Sequence, residues 1–246
     1  MRLELKYQVM FKKNTIKSLC LLAAFVFAGF GANAQLTHLE QSFYLNGNLP
    51  LSDFASDNLL VPMTQDFMGS DAIVGMGLGY RVSYRFDIGV GEVSPFIHAD
   101  FQWNTISSEH RDNYTLNDCS KPNYINIPIF AGVNYRYQIT DILTPFVEFG
   151  LGVDILKITK EGGGSGLPKM KYKTSGAFAW QVGGGTFLGS HVSVGIHYNG
   201  YGKHTIKYKS STVSDLTGTV YEPNASVQPS QLRRIGLFTL RIGFHF

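Results

Sequence analysis

The sequence predicts an all-β chain of eight antiparallel strands, joined in up-and-down order and closed into a barrel. Three observations predict it. Apolar residues recur at every second position in eight separate segments, the spacing that sends alternate side chains to opposite faces of a strand. The connections between these segments alternate between long and short. The last segment, Arg234 to Phe246, carries the cleanest alternation in the chain and ends on an aromatic ring.

Composition agrees. Of 246 residues, 44% are hydrophobic and only 16% charged, below the ~25% charge of ordinary soluble domains. The 27 Gly, 18 Phe and 13 Tyr suit strands and tight packing better than helices. No composition shift marks a linker, so one domain is expected.

Residues 1–34 read as a secretory signal peptide. Lys12, Lys13 and Lys17 form a basic start, Leu19 to Phe30 an apolar core, and Ala32-Asn33-Ala34 a small-x-small cleavage site. Cleavage between Ala34 and Gln35 leaves a mature domain of 35–246. Met1 to Phe11 fit no part of a leader, so Met10 is a candidate start. Cys20 lies inside the leader, with Lys17-Ser18-Leu19 a poor lipid-attachment site before it. Cys119 is then alone in the mature chain, which excludes an internal disulfide and argues against a thiol or zinc centre.

The formal charge of +3 is carried by the leader. Without its five bases and one acid the chain keeps 16 basic and 17 acidic residues, near −1. Nucleic-acid binding is not expected.

The predicted strands are 37–48, 73–86, 92–104, 123–137, 144–157, 175–188, 190–201 and 234–246. The first, around Phe43 and Leu45, has the weakest pattern. The second sets Val74, Met76, Leu78, Tyr80, Val82 and Tyr84 against Gly75, Gly77, Gly79, Arg81, Ser83 and Arg85. The third opposes Ile97, Phe101 and Trp103 to His98, Asp100 and Gln102. The fourth opposes Ile125, Ile127, Ile129 and Val133 to Asn126, Pro128, Gly132, Asn134 and Arg136. In the fifth, Val147, Phe149, Leu151 and Val153 face away from Glu148, Gly150, Gly152 and Asp154. The sixth and seventh repeat this with Phe178, Trp180 and Val182, then Val192, Val194 and Ile196. The last places Phe238, Leu240, Ile242, Phe244 and Phe246 on one face, with Arg241 on the other.

Segments 49–72, 105–122, 158–174 and 202–233 are long and polar; 87–91, 138–143 and the Gly189 junction are short. That rhythm fits an up-and-down barrel whose two ends differ, with both chain ends on the short-turn side.

Periodicity alone leaves open which face is outside, since a soluble carrier barrel also has eight alternating strands. Three features favour apolar residues outward, into lipid. Glycines crowd the other face, as a narrow lumen requires. The charges on that face have both signs: Arg81, Arg85, Arg136 and Arg241 with Glu40, Asp100, Glu148 and Asp154. Enclosed charges need partners, and this mixture supplies them. Finally Tyr80, Tyr84, Trp103, Tyr135, Tyr137, Tyr198 and Tyr201 fall near strand ends, where an interfacial aromatic belt is expected.

With its leader, eight alternating strands, the Tyr124-Ile125-Asn126-Ile127-Pro128-Ile129 strand opening and the Phe246 terminus, the chain resembles the small outer-membrane β-barrels of Gram-negative bacteria. These are the OmpA/OmpX/opacity type, the outer membrane protein beta-barrel domain family. The resemblance covers the whole mature chain. It implies an integral outer-membrane location, short periplasmic turns and four long extracellular loops. It also implies that Phe238, Leu240, Ile242, Phe244 and Phe246 are read by the barrel assembly machinery. No peptidoglycan-binding module is expected after Phe246.

Several residues invite chemistry. The lumen charges could line a narrow channel or fill the lumen as a neutral network; eight strands leave room for little besides side chains. His191-Val192-Ser193 has the His-x-Ser spacing of outer-membrane lipid A deacylases. It falls at the periplasmic end, away from an outer-leaflet substrate. His98, His197 and Glu148 could meet a metal, but histidines so placed more often serve as hydrogen-bonded filler, and no metal or other cofactor is expected. Lys160, Lys169, Lys171 and Lys173 in one loop, and Lys203, Lys207, Lys209 and Arg233 in another, contrast with Asp53, Asp57, Asp66 and Asp71 in the first. Solvation explains them, or contact with lipopolysaccharide phosphates or an anionic surface partner. Gly162 to Gly166 is a flexible tip without the Lys-Ser/Thr of a phosphate loop. Asn224-Ala225-Ser226 matches a glycosylation triplet without the compartment for it.

The expected function is structural or surface-interacting, through loops that meet an unidentified extracellular ligand, with lipid and lipopolysaccharide around the body. No enzyme activity is expected. A narrow porin-like channel is the alternative, and a lipid A-modifying hydrolase the third reading.

Overall fold

Alternation in the sequence becomes a closed sheet in the computed structural model. The structure describes residues 38–51, 54–55, 72–108, 120–159, 161–162, 169–214, 220–221 and 231–246. The predicted leader with its Ala34–Gln35 cleavage site lies outside these residues. So do Asp53, Asp57, Asp66, Asp71, Cys119, Lys160, Gly163 to Gly166 and the Asn224 triplet.

The strands are β1 (Leu39–Leu51), β2 (Gly75–Tyr84), β3 (Phe86–Asp87), β4 (Glu92–Thr105), β5 (Asn123–Arg136), β6 (Leu143–Ile158), β7 (Glu161–Gly162), β8 (Lys169–Tyr172), β9 (Ser175–Leu188), β10 (Val192–Ile206), β11 (Tyr208–Ser214), β12 (Val220–Tyr221) and β13 (Gln231–His245). The main sheet runs β2-β1-β13-β10-β9-β6-β5-β4-β3, and β2 also pairs with β4. That extra pairing closes the sheet into an eight-stranded antiparallel barrel, with β3 a short continuation of β2. Closure satisfies every edge, which a sheet in lipid requires. The first and last barrel strands meet, Phe43 opposite Phe244 and Leu49 opposite Phe238. Short turns use left-handed glycines, Gly89 (φ 84) and Gly189 (φ 69).

The apolar face points outward. Ile129, Leu240 and Phe244 are 41%, 51% and 40% exposed, while Arg81, Asp100, Glu148 and Arg241 on the opposite face are buried. The crowding glycines earn their place: a Cβ at Gly183 would overlap the His197 ring, and one at Gly79 would overlap the Asp100 carboxylate.

Two expectations are corrected. Tyr201 does not join an aromatic belt. It is buried inside the barrel, because it shares the inward parity of His197 and Asn199. A register shift between Tyr201 and Lys203 then moves the inward positions to His204 and Ile206. This break in period hid the continuation of β10 to Ile206, past the predicted end at 201. The third and fourth long connections are also more than loops. They contain β7, β8, β11 and β12, which form a second sheet in the order β12-β11-β8-β7.

At the long-connection end the lumen is filled by apolar side chains. Phe54, Ile106, Tyr124, Ile158, Ile206 and Ile235 belong to one buried cluster there, continued inward by Leu156 and Leu237.

Candidate functional site

The buried charges of the lumen are the one concentration of chemistry that strand parity predicts. They form three groups, each set by which strands stand side by side.

The central group surrounds Glu148 on β6. Arg81 on β2 donates two parallel bonds to it, both 2.7 Å. Arg241 on β13 donates to Glu148 Oε1 and to Asp100 Oδ2, each at 3.2 Å. Gln181 and Asn134 each donate to Glu148 at 3.2 Å, and His197 Nε2 lies 2.9 Å from its Oε1. Asp100 holds Asn46 at 2.9 Å and His98 at 2.9 Å. Two arginines thus face two carboxylates, and the group is neutral. Each guanidinium also lies over aromatic rings, Arg81 over Phe96 at 4.0 Å and Arg241 over Tyr44 at 5.0 Å. Such stacking suits a desolvated guanidinium.

The second group sits near the short turns. Arg136 makes a bidentate pair with Glu40, both bonds 2.7 Å, and its guanidinium lies over Phe187 at 4.1 Å. Arg85 stands at the margin, its side chain 38% exposed and its Nε 4.0 Å from Glu40. A cavity of ≈ 630 Å³ opens here, lined in part by Glu40, Arg85, Arg136 and Phe187. His245 bridges the group: its Nδ1 lies 2.8 Å from Ser42 Oγ and 3.2 Å from Glu40, and its Nε2 2.7 Å from Ser193 Oγ. Ser193 therefore pairs with His245 and not with His191, which is exposed and bonded to Ser190.

Asp154 is apart from both groups, with His204 Nε2 at 3.1 Å. Nearby, the Tyr201 hydroxyl donates to Gln102 at 2.7 Å. His98 and His197 turn to different carboxylates, so with Glu148 they do not converge on a shared point.

The sequence reading missed Asn46, Asn134, Gln181, Ser42 and His245 as partners. Parity marks each as inward, and Asn134 lies directly opposite Glu148 in register. It also missed that Phe96, Phe130, Phe146 and Phe187 line the lumen.

Paired charges within and an apolar surface without define an integral membrane β-barrel. The chain belongs to the outer membrane protein beta-barrel domain family, whose model matches residues 20–225. That membership places it in the outer membrane. No curated protein matches the sequence. Similar solved structures include Neisserial surface protein A, at 13% identity and TM-score 0.39, covering 85% of this chain and 97% of that one. Another is the outer membrane enzyme PagL, at 14% and 0.38, covering 83% and 97%. A third is Ail, the attachment invasion locus protein of Yersinia pestis, at 12% and 0.40, covering 85% and 98%.

Proposed function

We propose that this barrel is a non-conducting, non-catalytic body that holds surface loops at the cell exterior for structural or interaction purposes. One observation carries the reading: the neutral layer of Arg81, Glu148, Arg241 and Asp100 spans the lumen between strands from opposite sides of the barrel. Fixed, mutually paired charges occupy the space an ion would need. In this reading the chain is exported by its leader, cleaved between Ala34 and Gln35. The assembly machinery then reads Phe238, Leu240, Ile242, Phe244 and Phe246. The expected partner of the loops is an extracellular ligand.

Planar-bilayer recording of the refolded protein tests it. The expected trace is flat; steady single-channel steps would replace this reading with a narrow channel. The hydrolase reading loses its His191–Ser193 pair, and Ser193 is buried against His245. Lipid A from cells carrying Ser193→Ala is expected to match the wild-type profile by mass spectrometry.

A further inference from the structure

The outward face of the long-loop rim carries a second pattern. Lys157 on β6, Lys173 just before β9, Lys203 on β10, Lys207 just after β10 and Arg234 on β13 are all exposed. These strands are consecutive in the barrel, in the order β13-β10-β9-β6. Lys203 and Arg234 are direct register partners. Lys173 and Lys207 are joined by a backbone bond of 2.8 Å. Like charges set directly opposite one another across a sheet are destabilising, and an anion lying between them would relieve that repulsion. Among the described residues no ion pair links any of the five to a carboxylate.

Their height matters as much as their sign. On β13 the outward side chains run Phe246, Phe244, Ile242, Leu240 and Phe238, and the next one, past Gly236, is Arg234. At a rise of ~3.3 Å per residue and a tilt of ~40°, the five apolar positions span about 20 Å, close to the ~25 Å band of such barrels. Arg234 stands about 10 Å above the last of them, at headgroup depth. On β6, Lys157 likewise follows Phe149, Leu151 and Val153. The other half of the rim differs. There the outward residues at the strand ends, Leu51, Val74, Thr105 and Asn123, are uncharged, and among the described residues Lys121, just before β5, is the one exposed cation.

We infer that the β6-β9-β10-β13 side of the rim binds the phosphate groups of a phosphorylated glycolipid in the outer leaflet, with Lys203 and Arg234 as the central pair. Opposed cations at the top of an apolar wall fit a ligand whose acyl chains lie on that wall while its phosphates meet the cations. A soluble polyanion would have no use for that depth. The inference rests on the outer-membrane placement and deepens it by giving the barrel a preferred lipid and a preferred side.

The test uses the full barrel in nanodiscs doped with diphosphorylated or dephosphorylated lipid A, with retained lipid counted by native mass spectrometry. Wild type should retain the diphosphorylated form about tenfold better, and Lys203→Ala with Arg234→Ala should remove that preference. Lys203→Arg with Arg234→Lys should keep it. Equal retention of both lipids by wild type overturns the inference. So does displacement by millimolar inorganic phosphate, which would make the site a free-phosphate one. So does a double-alanine variant that loses binding to soluble heparin while keeping its lipid A. Heat-modifiable migration reads the barrel separately. A double-alanine variant that still migrates compactly and still prefers diphosphorylated lipid A defeats the surface and leaves the barrel standing. If that variant no longer migrates compactly, the two wild-type lipid arms decide.

Discussion

The two halves of the lumen are filled from the same inward face by opposite chemistries. Around Glu148 the filling is ionic, with guanidinium groups spanning between strands and stacked on rings. Toward the long connections it is apolar, with Ile106, Tyr124, Leu156, Ile158 and Ile235 closing together. The ionic layer lies at the level of the exposed apolar band, where any unmatched charge is enclosed by protein and lipid. It is therefore built of reciprocal pairs. The apolar side chains of the other layer need no such matching and depend on volume, while the buried Asp154 beside them is met by His204 at 3.1 Å. One half is thus specified mainly by partner identity and the other mainly by fit.

That contrast can be broken at each layer in turn. Glu148→Leu should have the largest effect, because it leaves Arg81 and Arg241 buried without their shared carboxylate. A loss of about 3–5 kcal/mol is expected, read as a lower urea midpoint for compact gel migration. Leu156→Ala in the apolar layer should cost about 2–4 kcal/mol by the same measurement. It should leave bilayer recordings flat, since the ionic layer still blocks the path; steps in this variant would show that the apolar layer is the real seal. Arg85→Ala should be the mildest, below about 0.5 kcal/mol, because its side chain is partly solvated and stands 4.0 Å from Glu40. A larger loss would extend the ionic layer to the cavity mouth.

The barrel was legible because lipid and a narrow lumen impose opposite demands on alternate residues. Gly79 and Gly183 mark where the inward face has no room, and Arg81 and Glu148 share their side of the sheet. Partnership was less legible. Arg81 and Glu148 are 67 residues apart and Arg136 and Glu40 are 96 apart, so each pair exists only once closure and stagger are known. Phe96 and Phe130 were hidden for another reason. An inward aromatic beside outward aliphatics reads as one unbroken apolar run, without the alternation that would reveal its side. The short strands β7 and β12 span two residues each, too few to show any period.

The seam between β1 and β13, where Gln41 and Phe246 exchange backbone bonds of 3.1 and 2.9 Å, joins segments about 200 residues apart. Until that seam forms, two strands carry unpaired peptide groups. Hydrocarbon offers such groups no substitute, so partial insertion strand by strand is a poor route for this molecule. The sheet has to be gathered where water or a helper protein can cover both open borders, and it becomes fully at home in lipid only when they meet.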